Sequence, residues 1–233
     1  MTYVIIPTYN ESGNIARLVE EIGSLALGLR VLIVDDNSPD GTGEIADTLA
    51  QKYAFVEVLH NSQKDGLGRA YLRGFEYVWK RGTDRVIKMD ADLSHQARYI
   101  PLLLRAAKKY DLVLGSRFDK GGRLIAVWHR RFLSRLANLF VSFLFGLGVS
   151  DATTGFHCLS KKVLQTVLDK GVISRGFAFQ VELVYLTRQA GLEVGGIPIE
   201  YISRESGRSK MNWGEVWGGI VDLLRLKFCG PRD

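Results

Sequence analysis

Five short apolar runs, at residues 3–6, 31–34, 55–59, 86–89 and 112–114, are rich in β-branched side chains, and polar or glycine-containing turns close them off. Runs this short, apolar at consecutive rather than alternate positions, belong to strands buried on both faces. That is the environment of a parallel sheet covered by helices. The segments between them have the complementary period of 3.6. Ile15, Leu18, Val19, Ile22 and Leu25 share one helical face. Ile45, Leu49 and Tyr53 make a second stripe, Ala70, Phe75, Val78 and Trp79 a third, and Ile100, Leu103, Leu104 and Ala107 a fourth. Strands alternating with helices predict an α/β fold, a Rossmann-like, mostly parallel sheet flanked by helices. Two further helical segments, 178–190 and 213–228, flank a strand near 194–202. No internal repeat and no Pro/Ser-rich linker interrupts the 233 residues, so the expectation is a single domain over 1–233 with an elaborated second half.

In open α/β sheets, ligands bind beyond the carboxyl ends of the strands. Three of the five runs end there in polar motifs: Pro7-Thr8-Tyr9-Asn10-Glu11, Asp35-Asp36-Asn37-Ser38 and Asp90-Ala91-Asp92. Asp90 and Asp92 stand two residues apart as a strand runs out, so their side chains share a face and can reach one point. Two carboxylates held together repel unless a cation lies between them. Oxygen ligands favour Mg²⁺ or Mn²⁺, with water and substrate phosphates in the remaining positions. The bland alternative is a polar loop capping the next helix, and it is the company of other acidic strand ends that favours the metal. Capping by the turn at 38–42 accounts for Asp40 but not for both Asp35 and Asp36, which point to opposite faces. One of that pair can accept hydrogen bonds from a base or ribose, as can Glu11. The run from Gly66 to Tyr71 resembles a dinucleotide fingerprint, yet it has Tyr71 at the third glycine position and follows the third strand. It reads as a tight turn that brings main chain close to a ligand or the sheet.

The formal net charge of +6 admits nucleic acid, anionic lipid or a phosphate-rich substrate. Placement narrows the choice. Arg117, Lys120, Arg123, Arg130, Arg131 and Arg135 crowd a stretch with one acid, Asp119, and the uncharged residues 136–149 follow. A basic cluster beside an apolar segment suits an anionic membrane surface, with a solvated basic face and core packing as competing readings. No nucleic-acid motif accompanies the charge, so no nucleic acid is expected. No run approaches the ~20 apolar residues of a membrane span, and no basic leader precedes the first strand. The expectation is a cytoplasmic chain, peripherally associated with the cytoplasmic face of a membrane. Its anchor would be a small membrane subunit, an interfacial segment near 131–149, or the terminal helical segment. Cys158 and Cys229 lie in no C-x-x-C pair and are expected as reduced, buried thiols.

Together, Ile6-Pro7-Thr8-Tyr9-Asn10-Glu11, the stretch from Val34 to Thr42, and Met89-Asp90-Ala91-Asp92-Leu93-Ser94-His95 resemble the inverting family 2 glycosyltransferases. The likeness continues through residues 66–71, Gly115-Ser116-Arg117, residues 151–156 and residues 204–210. Over almost the whole chain these motifs are similar to the dolichol-phosphate (polyprenol-phosphate) mannose synthases. The resemblance implies a GT-A fold and inverting transfer of mannose from GDP-mannose to a dolichyl or polyprenyl phosphate. It places Pro7, Tyr9, Glu11, Val34 and Asp36 at the nucleoside, and Asp90 and Asp92 on the metal and donor diphosphate, with Ala91 packed nearby. Ser94 stands where some relatives carry Gln and would be a weaker metal ligand, one that water can replace. Residues 1–117 would form the nucleotide- and metal-binding half, and 118–233 the acceptor-binding, membrane-proximal half. The Q-x-x-R-W motif of many hydroxyl-directed relatives is absent.

The implied reaction is direct displacement at the anomeric carbon by an acceptor phosphate oxygen. Arg117, Arg130 and Ser134 are candidates for the acceptor phosphate, since Arg presents a fork of donors suited to it. Arg204 and Lys210 would close over the donor. Glu182, set in an apolar pattern, is either near the acceptor or sugar pocket or a paired structural carboxylate. UDP-glucose as donor and a hydroxyl acceptor remain open as alternatives. A membrane- or nucleic-acid-binding module without enzymatic activity would leave the acidic strand ends without a role.

Overall fold

The structure, a computed structural model, describes residues 1–172, 174, 176, 178–202 and 213–229. The five apolar runs form β1 (Thr2–Thr8), β2 (Arg30–Asp35), β3 (Val56–His60), β4 (Arg85–Lys88) and β5 (Leu112–Ser116). The four stripes form α1 (Ile15–Ser24), α2 (Thr42–Lys52), α3 (Leu67–Lys80) and α4 (Ile100–Ala106). The second half adds β6 (Arg123–Ile125), α5 (Trp128–Phe145), β7 (His157–Ser160), α6 (Lys161–Lys170), α7 (Ala178–Gln189), β8 (Val194–Pro198), β9 (Glu200–Ile202) and α8 (Trp213–Cys229).

Seven strands make one sheet in the order β3-β2-β1-β4-β7-β5-β8. Every neighbouring pair is parallel except those of β7, which runs antiparallel to both β4 and β5. Successive residues of β2 serve two cores: Leu32 and Val34 pack with α3, α6 and α7, while Val31 and Ile33 pack with α1, α2 and α4. That alternation is why the runs are apolar at every position. Ile15, Leu18 and Val19 of α1 are wholly buried, and each such side chain contributes roughly 1.5–3 kcal/mol. The sheet draws β7 and β8 from the second half of the chain, so both halves share one scaffold.

The strand expected near 194–202 divides in two. Pro198, which has no amide hydrogen to continue a ladder, ends β8, and β9 leaves the main sheet to pair with β6. β7 was not apparent in the sequence because His-Cys-Leu-Ser reads as neither an apolar run nor an alternation. Its reversed direction starts it at the carboxyl end of β4, where His157 pairs with Lys88, and so residues 151–156 lie over the strand ends that carry the acidic motifs.

Candidate active site

The polar motifs lie side by side because β1 pairs in parallel with both β2 and β4. The chain turns sharply beyond each of these strands. Asn10, Asn37 and Leu93 have φ of 57°, 57° and 62°, and they follow β1, β2 and β4 respectively. Asn tolerates this left-handed region, whereas Leu adopts it only where its surroundings impose it.

The two aspartates after β2 do different work. Asp35 accepts from Thr8 Oγ1 at 2.9 Å, Ser38 N at 3.0 Å and Ser38 Oγ at 2.6 Å, which closes the turn. Asp36 accepts from Asn61 Nδ2 at 2.6 Å, and burial pushes its carboxyl above the usual range. Asn61 follows β3, anchored by its own N–H to Asp35 O at 2.8 Å. Sequence reasoning missed it, although its place at a strand end was the available signal. Asp40 is not the N-cap of α2, which is Gly41; it ties the turn instead, accepting from Ser12 N and Thr42 N at 3.1 Å and from Thr42 Oγ1 at 2.5 Å. Partial burial works against its charge, but these bonds prevail and hold it down at about 2. Glu11 is buried, with its N–H on Thr42 Oγ1 and Oε2 accepting from Asn14 Nδ2, both at 2.9 Å. Tyr9 is half-buried beneath Lys64, whose Nζ is 4.2 Å from the ring centroid. Pro7 is half-buried beside it, and Val34 is wholly buried with its side chain in the core.

Asp90 and Asp92 follow β4 and are both half-buried. The Asp90 N–H donates to His95 Nδ1 at 3.0 Å. His95 stacks on Phe156 (centroids 5.1 Å apart, 17° between planes) and meets Tyr201 edge-on at 5.5 Å. Burial lowers the His95 pKa against the opposing pull of Asp90 and Asp92, so the ring is neutral near pH 7. Asp92 Oδ1 accepts from Ser94 N at 3.1 Å and also from Ser94 Oγ. A Cβ on Gly155 would stand 3.0 Å from both Asp90 Oδ2 and His95 Cε1. Ala91 is buried in the core between them. Below the site, fully buried Lys88 donates to Gln180 Oε1 and lies over the rings of Tyr71 (4.5 Å) and Phe179 (5.0 Å). Burial lowers its pKa to about 7 against the attraction of Asp90. No cluster of three or more His, Cys, Asp or Glu side chains that could hold a metal occurs among the described residues. Two half-exposed carboxylates in a space kept open by glycine do fit a hard divalent ion that completes its shell with water and phosphate.

Arg117 directly follows β5 and is tied into the floor of the site. Its Nε and Nη2 each reach Asp151 at 2.8 Å, Nη2 reaches Thr153 Oγ1 at 2.7 Å, and its N–H donates to Asp151 Oδ2 at 3.0 Å. Burial opposes its charge, but the Asp151 bonds raise its pKa above the ordinary arginine value. Beside it a cavity of about 340 Å³ is lined by four arginines, Arg117, Arg123, Arg131 and Arg135, together with Phe118, Gly122, Leu124, Ile125 and Ala126. Arg131 and Arg135 reach the cavity from α5. Ser134, half-buried on the same helix, is not among the lining residues. Arg130 also lies on α5, with its side chain outside the described set, and Arg204 and Lys210 lie outside the described residues. Trp128, Phe132, Leu133, Leu136, Leu139, Phe140 and Phe143 of α5 are exposed, so core packing does not account for this segment. Glu182 is buried on α7 and its Oε2 accepts from Ser174 N at 2.8 Å, which favours the structural reading. Cys158 is a buried free thiol.

The glycosyl transferase family 2 model matches residues 3–168. The chain belongs to glycosyltransferase family 2. An undecaprenyl-phosphate mannosyltransferase of Micrococcus luteus is 39% identical over 223 residues, covering 95% of this chain and 91% of that protein. A polyprenol monophosphomannose synthase of Mycolicibacterium smegmatis is 39% identical over 235 residues, covering 100% and 89%. The solved structure of Mycobacterium tuberculosis glucosyl-3-phosphoglycerate synthase with Mn²⁺, UDP-glucose and phosphoglyceric acid aligns with a TM-score of 0.70 at 18% identity, covering 100% of this chain and 81% of that one. The same synthase with Mg²⁺ and UDP gives 0.68 at 18% identity, covering 100% and 80%. This family 2 glycosyltransferase therefore has the GT-A fold that the resemblance implied.

Proposed function

We propose that this family 2 glycosyltransferase transfers mannose, with inversion, from GDP-mannose to the phosphate of a polyprenyl or dolichyl phosphate at a membrane surface. The observation that carries the reading is the adjacency of three parts: the Asp90/Asp92 site, the arginine-lined cavity beside Arg117, and the exposed apolar face of α5. Two relatives at 39% identity bear the names of polyprenyl-phosphate mannosyltransferases, which supports this acceptor and this sugar.

Asp36 and Glu11 supply acceptor oxygens for the nucleoside, with Tyr9 and Pro7 as its apolar wall. Asp90 and Asp92 would hold Mg²⁺ or Mn²⁺, which would supply positive charge beside the donor diphosphate. Arg204 and Lys210, which lie outside the described residues, are the further basic residues assigned to the donor. Arg117, locked by Asp151, contributes a fixed positive charge, and Arg131 and Arg135 of α5 bring donors to the acceptor phosphate, with Arg130 and Ser134 of the same helix as further candidates for it. A phosphomonoester has a second pKa of roughly 6 and is largely ionised at pH 7. It needs no general base, so both aspartates are available for the metal. The acceptor's chain lies along α5, whose apolar side chains enter the lipid interface while its arginines meet anionic headgroups. No helix among the described residues is long and apolar enough to cross a membrane. α5 is the proposed contact, with or without a small membrane-anchoring subunit.

The test offers labelled GDP-mannose and labelled UDP-glucose separately, with polyprenyl phosphate and Mg²⁺ or Mn²⁺. Label from GDP-mannose should enter the organic phase. Label from UDP-glucose alone would replace the donor, and no lipid product from either would refute the lipid-phosphate reading. Asp90→Ala and Asp92→Ala should each abolish transfer, and near-normal turnover by either folded variant would remove it from the metal site.

A further inference from the structure

Two carboxylates that converge on one cation must be held against their mutual repulsion before the cation arrives. Asp90 is held on one side. Its main-chain N–H donates to His95 Nδ1 at 3.0 Å, closing the turn that contains Leu93 in its left-handed conformation. His95 is 1% exposed, stacked on Phe156, bordered by Tyr201, and given room by the missing side chain of Gly155. Because Nδ1 accepts, the neutral ring carries its proton on Nε2, and Nε2 is buried with no hydrogen-bond partner in the structure. An imidazole kept for packing alone would gain nothing from a buried, unsatisfied nitrogen. What distinguishes it from a phenyl ring here is the bond that Nδ1 accepts.

Asp92 is held on the other side, by the N–H and hydroxyl of Ser94. A carboxylate can only accept, so the Ser94 hydroxyl proton goes to Asp92. Tyr201 meets the His95 ring edge-on at 5.5 Å and lies 5.5 Å from the Arg117 guanidinium, measured to its ring centroid. β9 therefore carries into the site one side chain that borders both His95 and Arg117.

We propose that His95 and Tyr201 are positioning residues for the metal-binding pair. His95 fixes Asp90 through the main chain, Tyr201 holds the His95 ring edge-on, and Ser94 ties Asp92 directly, as a strut rather than a metal ligand. The inference rests on the assignment of Asp90 and Asp92 to the metal.

The experiment titrates Mn²⁺ by electron paramagnetic resonance in the presence of GDP, with UDP as a parallel arm, on variants shown to be folded by thermal melting. Transfer assays give the metal requirement and the acceptor KM separately. His95→Phe keeps a ring and removes the acceptor nitrogen, while His95→Asn keeps an acceptor oxygen and removes the ring. His95→Phe should weaken Mn²⁺ binding by about 10-fold or more, the usual scale for a residue behind a metal ligand, and leave the acceptor KM unchanged. His95→Asn should stay within about 3-fold of wild type on the same scale. Tyr201→Phe keeps the ring against His95 and should bind like wild type, whereas Tyr201→Leu should weaken binding by about 3- to 10-fold. Wild-type binding by His95→Phe, or equal losses in His95→Phe and His95→Asn, would overturn the His95 arm. A Ser94→Ala loss as large as that of Asp92→Ala would make Ser94 a ligand. If His95→Phe does not fold, Tyr201→Leu decides. Asp90→Ala separates the levels: unchanged Mn²⁺ binding there removes the metal assignment itself, whereas its loss alongside intact binding in His95→Phe and Tyr201→Leu removes the clamp alone.

Discussion

At Gly155 a single added methyl group would stand 3.0 Å from Asp90 Oδ2 and 3.0 Å from His95 Cε1. His95 is packed between rings and cannot yield easily, whereas the Asp90 carboxylate, tied to it only through the main-chain N–H, can swing aside. Gly155→Ala should therefore displace the carboxylate rather than unfold the chain. Displacements below an ångström cost on the order of 10- to 100-fold in rate. The expected result is a loss of that size in kcat, measured against a melting temperature within a few degrees of wild type. Asp90 and Asp92 were legible in the sequence because they are two residues apart on one strand end, where spacing alone makes them converge. His95 sits in the same motif, but its bond to Asp90 depends on a turn whose left-handed Leu93 no propensity predicts. The Arg117–Asp151 pair spans 34 residues and two strand ends, and only the fold brings it together.

α5 turns an unusual face to the outside. Phe143 is 91% exposed, and Leu139, Phe132, Leu133, Leu136 and Phe140 are all more than half exposed, while Asn138, Val141 and Phe145 face inward. A contiguous apolar patch of this kind marks a partner surface. Replacing Phe140 and Phe143 together with Ser removes two aromatic side chains from any lipid contact, each worth roughly 1.5–3 kcal/mol of transfer. The double variant should bind anionic vesicles at least about 10-fold less well in cosedimentation, with an unchanged melting temperature because neither ring packs in the core. Wild-type binding should also fall as salt is raised, since Arg131 and Arg135 act through screened attraction. The uncharged stretch after the arginines was visible in the sequence. The sequence did not decide between a membrane-facing helix and a core-packed one there, because apolar residues at helical spacing look the same whether protein or lipid covers them.

Over the whole molecule, Lys88 links stability to pH. It is completely buried, and its pKa of about 7 lies below the roughly 10.4 of an unfolded lysine. Between those values the unfolded chain binds a proton that the folded chain does not, so stability rises with pH across that window. Below pH 7 the folded state carries the buried charge at full cost. Lys88→Met removes this dependence and adds a pH-independent cost at Gln180, which loses its partner. The melting temperature of the variant relative to wild type should be highest below pH 7 and should decline steadily toward pH 10. A difference that stays flat would place the Lys88 charge in a better-solvated setting.

The sequence by itself determined the layered α/β architecture, the five strands at the front of the chain and the acidic edge of the sheet. Periodicity and the residues at strand ends are local properties, and burial on both faces of a parallel sheet leaves an unmistakable local record. The tertiary structure alone decided the antiparallel insertion of β7, the departure of β9 from the main sheet, the pairing of Arg117 with Asp151, and the meeting of His95 and Tyr201 behind the carboxylates. Each of these depends on contacts between residues far apart in the chain. Such contacts exist only once the sheet has set its strand order, and no local pattern encodes them.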